Sequence, residues 1–339
     1  MSAEPLLRIR GLRTYFHTER GRLAAVDGVS LDVGKGEIVG IVGESGCGKS
    51  ATAQSVLRLF DEKRLASYEG EIDYDGTDLL RLSPKQMRDI RGNEISMIFQ
   101  DPLSSLNPVH TVGQQIVETL RLHRKIGKKE AAARAIELLR MTGIPAPERR
   151  AREYPHQLSG GMRQRVMIAI ALACEPKLLI ADEPTTALDV TIQAQILELI
   201  AGLNRRLGMS VMLITHDLGV VAEACTRVVV MYLGQVVESA DVRTLFAKPL
   251  HPYTIGLMRS VPRLDGDRTQ ELPAVPGSVP TLGQVPPGCR FASRCAFADD
   301  RCRSEMPELE TLPGTDTQVR CWYARQIAEG RLADANRER

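Results

Sequence analysis

The fold of this chain is decided by the stretch I-V-G-I-V-G-E-S-G-C-G-K-S, which runs from Ile38 to Ser50. Its first five residues form a continuous apolar run, as is typical of a parallel strand buried on both faces. The residues from Gly43 onward fit the pattern G-x-x-x-x-G-K-[ST] of a phosphate-binding loop, and a helix is predicted over Ser50 to Phe60. A strand, a glycine loop and a helix in this order predict an α/β nucleotide-binding fold.

The loop itself indicates how a nucleotide is held. Its glycines let the backbone turn so that N–H groups face the phosphates, and the start of the helix adds partial positive charge. Lys49 supplies a positive charge to the β- and γ-phosphates, and Ser50 offers a hydroxyl ligand to Mg²⁺. The residues predicted to bind the nucleotide here are Gly43, Glu44, Ser45, Gly46, Cys47, Gly48, Lys49, Ser50 and Ala51.

A second apolar run, Leu178–Ala181, ends in the acidic pair Asp182 and Glu183. We expect Asp182 to lie beside the phosphate loop and to hold Mg²⁺ through water. Glu183 is then placed to polarise the attacking water molecule. This division suits phosphoryl transfer, in which positioning and charge stabilisation do most of the work. The pair therefore predicts hydrolysis of the bound nucleotide.

Two further polar residues come at the ends of apolar strands. Gln100 follows the run Met97–Phe99, and His216 follows the run Val211–Thr215. Taken alone, a glutamine in this position is usually polar surface, and a histidine after a strand is usually structural. Their roles therefore depend on the family that the chain resembles.

The stretch L-S-G-G-M-R-Q-R, from Leu158 to Arg165, lies between these elements. Ser159 is a good helix N-cap, and Gly160 and Gly161 allow the backbone to approach a ligand. A helix start presents free N–H groups and partial positive charge to an anion. Together with the phosphate loop and the acidic pair, this stretch resembles the signature of ABC-type ATPases, and the resemblance covers about residues 5 to 325.

The resemblance implies an α/β P-loop NTPase with an ABC-type ATPase core and a helical subdomain. It implies that Gln100 is the Q-loop glutamine, a ligand of Mg²⁺ and water. It also implies that His216 is the switch histidine, which contacts the γ-phosphate and orients Glu183. The implied catalytic residues are Glu183, His216 and Gln100. The implied Mg²⁺ ligands are Ser50, Gln100 and Asp182.

In this family the signature serves the ATP that a second ATPase subunit holds. The residues implied to contact that ATP are Ser159, Gly160, Gly161 and Gln164. The D-loop, which bridges the two sites, is matched by Ala187–Asp189. The resemblance therefore implies that the chain works as one half of a dimer, with each ATP bound between two subunits.

An aromatic residue from an early strand stacks on adenine in this family. Phe16 is the candidate in this chain, and its neighbour Tyr15 is the alternative. Successive side chains of a strand point to opposite faces, so only one of the two can face the nucleotide.

Composition and charge restrict the class of protein. The chain has 339 residues, of which 43% are hydrophobic and 25% charged, and its formal net charge of +2 does not favour nucleic-acid binding. No apolar run approaches the roughly 18 residues of a membrane-spanning helix, and the N-terminus has no apolar signal-peptide core. We therefore expect a chain that stays in the cytoplasm, where its seven cysteines rarely form structural disulfides.

Residue use changes near Pro249, where prolines become frequent and four of the seven cysteines follow. We predict an ATPase domain over residues 1–248, with a helical subdomain at about 101–157, and a loop-rich extension over 249–339. The four cysteines are Cys289, Cys295, Cys302 and Cys321. Their spacings are looser than those of zinc knuckles, and four thiolates suit an iron–sulfur cluster. A zinc ion and unliganded thiols are the alternatives.

The extension narrows the resemblance to the ATP-binding subunits of dipeptide and oligopeptide importers. The matching motifs are His251–Thr254, Val275–Gly277 and the four cysteines. This family implies ATP and Mg²⁺ as cofactors and a [4Fe–4S] cluster held by the cysteines. It implies a second ABC ATPase subunit, for which a related chain is favoured over a copy of this one. The other implied partners are two integral membrane permease subunits and an extracytoplasmic peptide-binding protein.

Two other functions are weighed against peptide import. Importers of nickel or another small solute share the motifs of the extension. Soluble ABC ATPases that act on nucleic acid or ribosomes carry long coiled-coil arms or two ATPase cores, and this sequence shows neither. We therefore predict an ATP-hydrolysing motor subunit of a peptide ABC importer, peripheral at the cytoplasmic face of the cell membrane, with no nucleic-acid partner.

Overall fold

The computed structural model of the chain describes residues 4–19, 21–186, 188–261 and 275–332. The strands are β1 (Leu7–Thr18), β2 (Gly21–Val33), β3 (Ile38–Val42), β4 (Ala66–Tyr74), β5 (Thr77–Asp78), β6 (Ile95–Ile98), β7 (Leu178–Asp182), β8 (Ser210–Thr215), β9 (Arg227–Tyr232), β10 (Gln235–Asp241), β11 (Glu310–Thr311) and β12 (Gln318–Val319). The α-helices are α1 (Lys49–Val56), α2 (Pro84–Ile90), α3 (Pro102–Ser105), α4 (Val112–His123), α5 (Lys128–Met141), α6 (Pro147–Arg150), α7 (Gly160–Ala171), α8 (Val190–Leu207), α9 (Leu218–Ala224), α10 (Val242–Ala247), α11 (Pro252–Arg259), α12 (Asp300–Ser304) and α13 (Ala324–Ala328).

The chain divides into two compact units, each built from separate stretches of sequence. The first unit comprises Met1–Leu7, Asp32–Ile38 and Asp73–Ile214. The second unit comprises Arg8–Leu31, Val39–Ile72 and Thr215–Arg339. The first unit therefore contains Gln100, the signature and the acidic pair, and the second contains the phosphate loop, His216 and the four cysteines of the extension.

Three parallel strands in the order β6-β7-β8 form a sheet in the first unit. Ile98 of β6 is paired with Ala181 of β7. Every residue of β7 and β8 is buried, as expected for a parallel sheet with both faces covered. Because parallel strands end at the same edge of a sheet, the chain places Gln100 and Glu183 at one edge.

Helices fill the first unit between β6 and β7. The short helices α3 and α6 flank the longer α4 and α5, and α7 packs against α3, α4, α5 and β6. Helix α4 buries Val112, Ile116 and Leu120, whose spacing of four residues gives the helix one apolar face. Helix α7, which begins in the signature, is thereby held on several sides.

The second unit has a sheet of mixed direction. Strand β3 runs parallel to β9, and β9 forms an antiparallel hairpin with β10. Leu233 and Gly234 make the turn of this hairpin, and both have positive φ. Strand β10 pairs with β12, and β12 with β11, so the extension continues the sheet that holds β3.

The predicted helix after the phosphate loop is shorter than the sequence indicates. It was expected to reach Phe60, but α1 ends at Val56. The N–H of Arg58 donates to the carbonyl O of Ser55, and the N–H of Leu59 to that of Gln54. This pair of bonds, with Arg58 at φ +48°, is a Schellman C-terminus built without glycine, and it stops the helix.

Aromatic residues from three parts of the second unit form one cluster in its core. Tyr232 ends β9, Tyr253 lies in α11, and Phe291 lies in the extension. Their ring centroids are 4.8 to 5.4 Å apart. Val42 and Cys47 belong to the same buried cluster, so the extension packs onto the strand and loop that are predicted to bind phosphate.

Candidate functional site

The phosphate loop, residues 43–48, connects β3 to α1, and its path requires glycine at two positions. Gly43 has φ +153°, and a Cβ there would lie 2.2 Å from the carbonyl O of Met231. Gly48 has φ +92°, and a Cβ there would lie 2.5 Å from the carbonyl O of Ala25. No side chain fits at these distances, so the motif glycines are needed for close backbone packing as well as for the turn.

Lys49 begins α1 and is buried within the curve of the loop, with 4% of its surface exposed. Its Nζ donates to the carbonyl oxygens of Gly43, at 2.8 Å, and Glu44, at 3.0 Å. The ammonium group is thereby placed against the loop backbone, next to the start of α1. Ser50 and Ala51 follow in the first turn of this helix and are half-buried.

Two residues of the extension contact the loop, and sequence reasoning did not find this role for either. Arg294 donates from both terminal nitrogens to the Glu44 carboxylate, at 2.7 and 2.9 Å. The backbone N–H of Glu44 donates to Tyr253 Oη at 2.8 Å. Tyr253 lies within the His251–Thr254 motif. This motif indicates the resemblance to the transporter family, but it does not predict a contact with the phosphate loop. Arg294 has no local signal beyond its place beside Cys295.

Glu183 follows β7 in a left-handed backbone conformation, with φ +46°. Its N–H donates to the carbonyl O of Ile214, and its Oε2 accepts hydrogen bonds from Gln100 Nε2 and Thr186 Oγ1, each 2.9 Å long. The structure thus brings the predicted residues Gln100 and Glu183 into direct contact. Thr186 carries no sequence signal except its position three residues after Glu183.

Asp182 and His216 each lie where a buried parallel strand ends. Asp182 is the last residue of β7 and is buried, with 2% of its surface exposed. His216 directly follows β8 and is exposed. The next residue, Asp217, caps α9 by accepting from the N–H groups of Gly219 and Val220. His216 therefore occupies the short connection between a buried strand and a capped helix.

The signature forms the start of α7, as its residues predict. Ser159 is the N-cap, and its Oγ accepts a hydrogen bond from the N–H of Met162 at 3.4 Å. Ser159 and Gly160 are exposed, and a Cβ on Gly161 would lie 2.8 Å from Cγ2 of Ile192. The helix N-terminus is thus presented at a surface with little room for side chains. Gln164 is buried, with 1% exposed, and its predicted contact with ATP stays a prediction.

The two candidates for the adenine contact have different surroundings on β1. Phe16 packs edge-on against Phe60, with ring centroids 4.8 Å apart. Tyr15 lies under Arg22, whose guanidinium carbon is 4.0 Å from the ring centroid, and its hydroxyl donates to Glu69 at 3.4 Å. Tyr15 is thus engaged by charged side chains, whereas Phe16 has an apolar neighbour. The contact of Phe16 with adenine stays a prediction. In the D-loop, Ala187 lies outside the described residues.

Two protein families match separate parts of the chain. The ABC transporter family matches residues 26–186, and the C-terminal region of oligopeptide/dipeptide transporters matches residues 237–302. A probable peptide ABC transporter ATP-binding protein of Sinorhizobium fredii is 55% identical over 326 residues, which cover 96% of this chain and 97% of the relative. This chain belongs to the ABC transporter family. It is an ATPase of that family, and its predicted membership is confirmed.

Further relatives and solved structures agree with this assignment to the ABC transporter ATPases. The oligopeptide transport ATP-binding protein of Bacillus subtilis is 54% identical over 96% of this chain and 98% of its own. A dimeric bacterial ABC transporter cassette superposes with a TM-score of 0.63 at 31% identity, over 70% of this chain and 99% of its own. A dimeric cassette bound to ADP and Pi gives the same TM-score at 30% identity, with the same coverage. The predicted α/β fold is therefore confirmed.

Four of the seven cysteines of this ABC transporter ATPase, those of the extension, line one small cavity together with Phe291 and Trp322. Burial raises the pKa of all four thiols, to about 11 for Cys295 and about 12 for Cys321. Backbone N–H groups donate to the sulfur atoms of Cys295 and Cys321, each at 3.4 Å. Among the described residues, however, no group of three or more His, Cys, Asp or Glu side chains is arranged to hold a metal ion.

Membrane attachment of this ATPase was predicted to be peripheral. Within residues 4–19, 21–186, 188–261 and 275–332, no helix is both long and apolar enough to cross a membrane.

Proposed function

We propose that this chain is the ATP-hydrolysing motor subunit of an ABC importer of dipeptides and oligopeptides. The observation that carries the proposal is the combination of an ABC-type ATPase with a C-terminal region of the oligopeptide/dipeptide type, matched over residues 237–302. Relatives named for peptide transport match nearly the whole chain. An importer of nickel or another small solute is the alternative within the same family.

At the ATP site, we assign the phosphates to the loop N–H groups and to Lys49. Mg²⁺, when bound, neutralises phosphate charge, and its proposed ligands are Ser50, Gln100 and Asp182. Glu183 polarises the attacking water, and His216 contacts the γ-phosphate. The hydrogen bond between Gln100 and Glu183 supports this assignment. It places the proposed Mg²⁺ ligand in direct contact with the residue that is proposed to polarise the attacking water.

The signature of this chain is proposed to serve the ATP of a second ATPase subunit, related to this chain. The exposed N-terminus of α7 supports this, because Ser159 and Gly160 lie at the surface and not in a closed pocket. Replacing Ser159 by arginine, which blocks the helix start, should abolish hydrolysis at the partner's phosphate loop. If hydrolysis is instead lost only at the phosphate loop of this chain, the shared-site proposal is wrong.

The complete importer is proposed to contain two membrane permease subunits, with this chain peripheral at the cytoplasmic face and a peptide-binding protein outside. The affinity-tagged chain, extracted from its own membranes in mild detergent, should copurify with integral membrane proteins. Recovery with ribosomes or DNA in place of membrane proteins would contradict the transport proposal and favour a soluble ABC ATPase. The same purification is repeated with a tagged Lys49→Ala chain. Proteins that copurify with the wild-type chain but not with this variant belong to complexes that require bound ATP.

A [4Fe–4S] cluster is proposed for the extension. The four cysteines share one cavity, and two of them accept backbone N–H bonds that favour thiolates. A [4Fe–4S] cluster has four irons, each of which takes one cysteine ligand, so the four sulfur atoms need not converge on a single ion. Protein purified without oxygen should be brown and contain iron and sulfide in equal amounts. Colourless protein with one zinc per chain would contradict this proposal.

A further inference from the structure

The guanidinium group of Arg294 is held on the phosphate loop from several directions. Its terminal nitrogens form a bidentate pair with Glu44, at 2.7 and 2.9 Å. Its Nε donates to the carbonyl O of Pro276 at 2.7 Å, and Nη1 donates to Tyr232 Oη at 3.4 Å. The side chain is 3% exposed. Its charge is therefore placed by the fold and does not depend on a mobile surface pair.

Glu44 is held at a second point by the same extension. Its N–H donates to Tyr253 Oη, and Cys47 Sγ lies 3.9 Å from that hydroxyl. Tyr253 is itself fully buried, with 0% exposed. The side chain and the backbone of one loop residue are thus both fixed by residues outside the loop.

Charge explains why this arrangement matters. The loop is proposed to receive the negative phosphates of ATP, and Glu44 brings a carboxylate into the same loop. Without a counter-charge, that carboxylate would repel the phosphates in a partly buried setting, where screening is weak. An arginine side chain stays protonated in proteins, and the bidentate bonds to Glu44 place its charge directly against that carboxylate.

We propose that Arg294 is a positioning residue of the ATP site, which neutralises Glu44 and fixes the phosphate loop in the form that accepts ATP. This inference rests on the proposed ATP site at the loop. It makes the extension part of the nucleotide site, and not only a label of the transporter type. The residue lies next to Cys295, so the region proposed to carry the cluster also holds the loop.

The test is a double-mutant comparison of MgATP affinity in the full-length chain. Arg294→Gln should weaken ATP binding and raise KM by about tenfold, with kcat changed by less than about twofold. Adding Glu44→Gln to Arg294→Gln should recover about threefold of the lost affinity but not all of it, because the unpaired carboxylate is then gone while the bonds that fix the loop are still missing. A double variant as weak as the single variant would overturn the proposal, as would wild-type affinity in Arg294→Gln.

Controls separate this inference from the site assignment and from misfolding. Arg303→Gln removes an exposed arginine of the same extension, 63% exposed, and should bind ATP as wild type does. Lys49→Ala should lose ATP binding, and if it does not, the proposed ATP site itself is wrong. If Arg294→Gln does not fold, Arg294→Lys keeps the charge but loses the bidentate pair with Glu44, so it should weaken ATP binding by about three- to tenfold with kcat changed by less than about twofold. Wild-type affinity in a folded Arg294→Lys would overturn the positioning role.

Discussion

Among single residues, Glu183 combines backbone strain with fixed hydrogen bonds. Its φ of +46° is unusual for a side chain with a Cβ and costs about 1–3 kcal/mol. The hydrogen bonds from Gln100 and Thr186 hold its carboxylate in one direction. Strain of this kind persists where the surrounding structure requires one geometry, and here it directs the proposed general base.

The first prediction replaces this carboxylate by an amide of the same shape. Glu183→Gln should bind ATP as wild type does, but hydrolysis should fall by about 100-fold or more, because the amide cannot polarise water. Binding and phosphate release are measured on the same preparation. Glu198→Gln, at an exposed position of α8, is the matched control and should hydrolyse ATP normally. Near-normal hydrolysis in Glu183→Gln would remove this residue from its role.

Two buried ionisable residues of the second unit, His251 and Glu238, make the free energy of unfolding depend on pH in opposite directions. Burial, with the charge of Arg320 nearby, lowers the pKa of His251 to about 3. Below about pH 6.5, His251 is protonated in the unfolded chain but not in the folded chain. The free energy of unfolding therefore falls as the pH falls. Burial raises the pKa of Glu238 to about 7, so its contribution is present at low pH and is lost as the pH rises.

The second prediction isolates the histidine. His251 Nδ1 accepts the N–H of Tyr253, a bond that the oxygen of asparagine can replace. His251→Asn should be less stable than wild type at pH 7, and this deficit should shrink by about 2 kcal/mol at pH 5. Glu238 is present in both proteins, so its effect largely cancels in the difference. Urea unfolding at each pH measures it, and a deficit that does not change with pH would contradict the assignment.

Among the elements, the phosphate loop requires glycine at Gly48, whereas α8 has space for a side chain at Gly202. Gly48 sits at φ +92° against the carbonyl O of Ala25, so its lack of a side chain is required. Gly202 lies inside α8, and a Cβ there would meet nothing within 4 Å. In a helix interior glycine costs about 0.5–1 kcal/mol relative to alanine, because it loses more backbone entropy.

The third prediction compares the same substitution in the two elements. Gly202→Ala should raise the free energy of unfolding by about 0.5–1 kcal/mol and leave ATP binding unchanged. Gly48→Ala should lower it by about 1–3 kcal/mol and abolish ATP binding, since the loop must move away from Ala25. Urea unfolding and ATP titration measure both effects. Destabilisation by Gly202→Ala, or ATP binding by Gly48→Ala, would contradict the packing described for that element.

The predictable elements were those with a long local pattern. The buried strands β3, β7 and β8 follow from apolar runs, because burial on both faces leaves a continuous signal. The end of α1 does not follow from the sequence, because arginine has no preference for the left-handed conformation that Arg58 adopts where the helix stops. Strands β11 and β12 have two residues each, too few for a periodic pattern, and they form where β10 offers a partner.

For the whole molecule, short motifs indicate the proposed site residues, whereas the contacts that support these residues carry no sequence signal. Lys49, Asp182 and Glu183 lie in short patterns whose spacing reflects the chemistry of phosphate and water. The contact between Glu44 and Arg294 joins residues 250 positions apart. The sequence does not show which arginine pairs with which glutamate, because every arginine can complement every glutamate. Only the fold shows that the extension reaches the phosphate loop.

The central claim is that ATP hydrolysis by this chain drives peptide import. The most direct measurement is uptake of radiolabelled dipeptides and oligopeptides by vesicles that contain the complex copurified with the tagged chain. We expect uptake that requires ATP with the wild-type chain and background uptake with Glu183→Gln, at equal protein levels. Peptide uptake that is unchanged in Glu183→Gln, or ATP-driven uptake of nickel without peptide, would contradict the account.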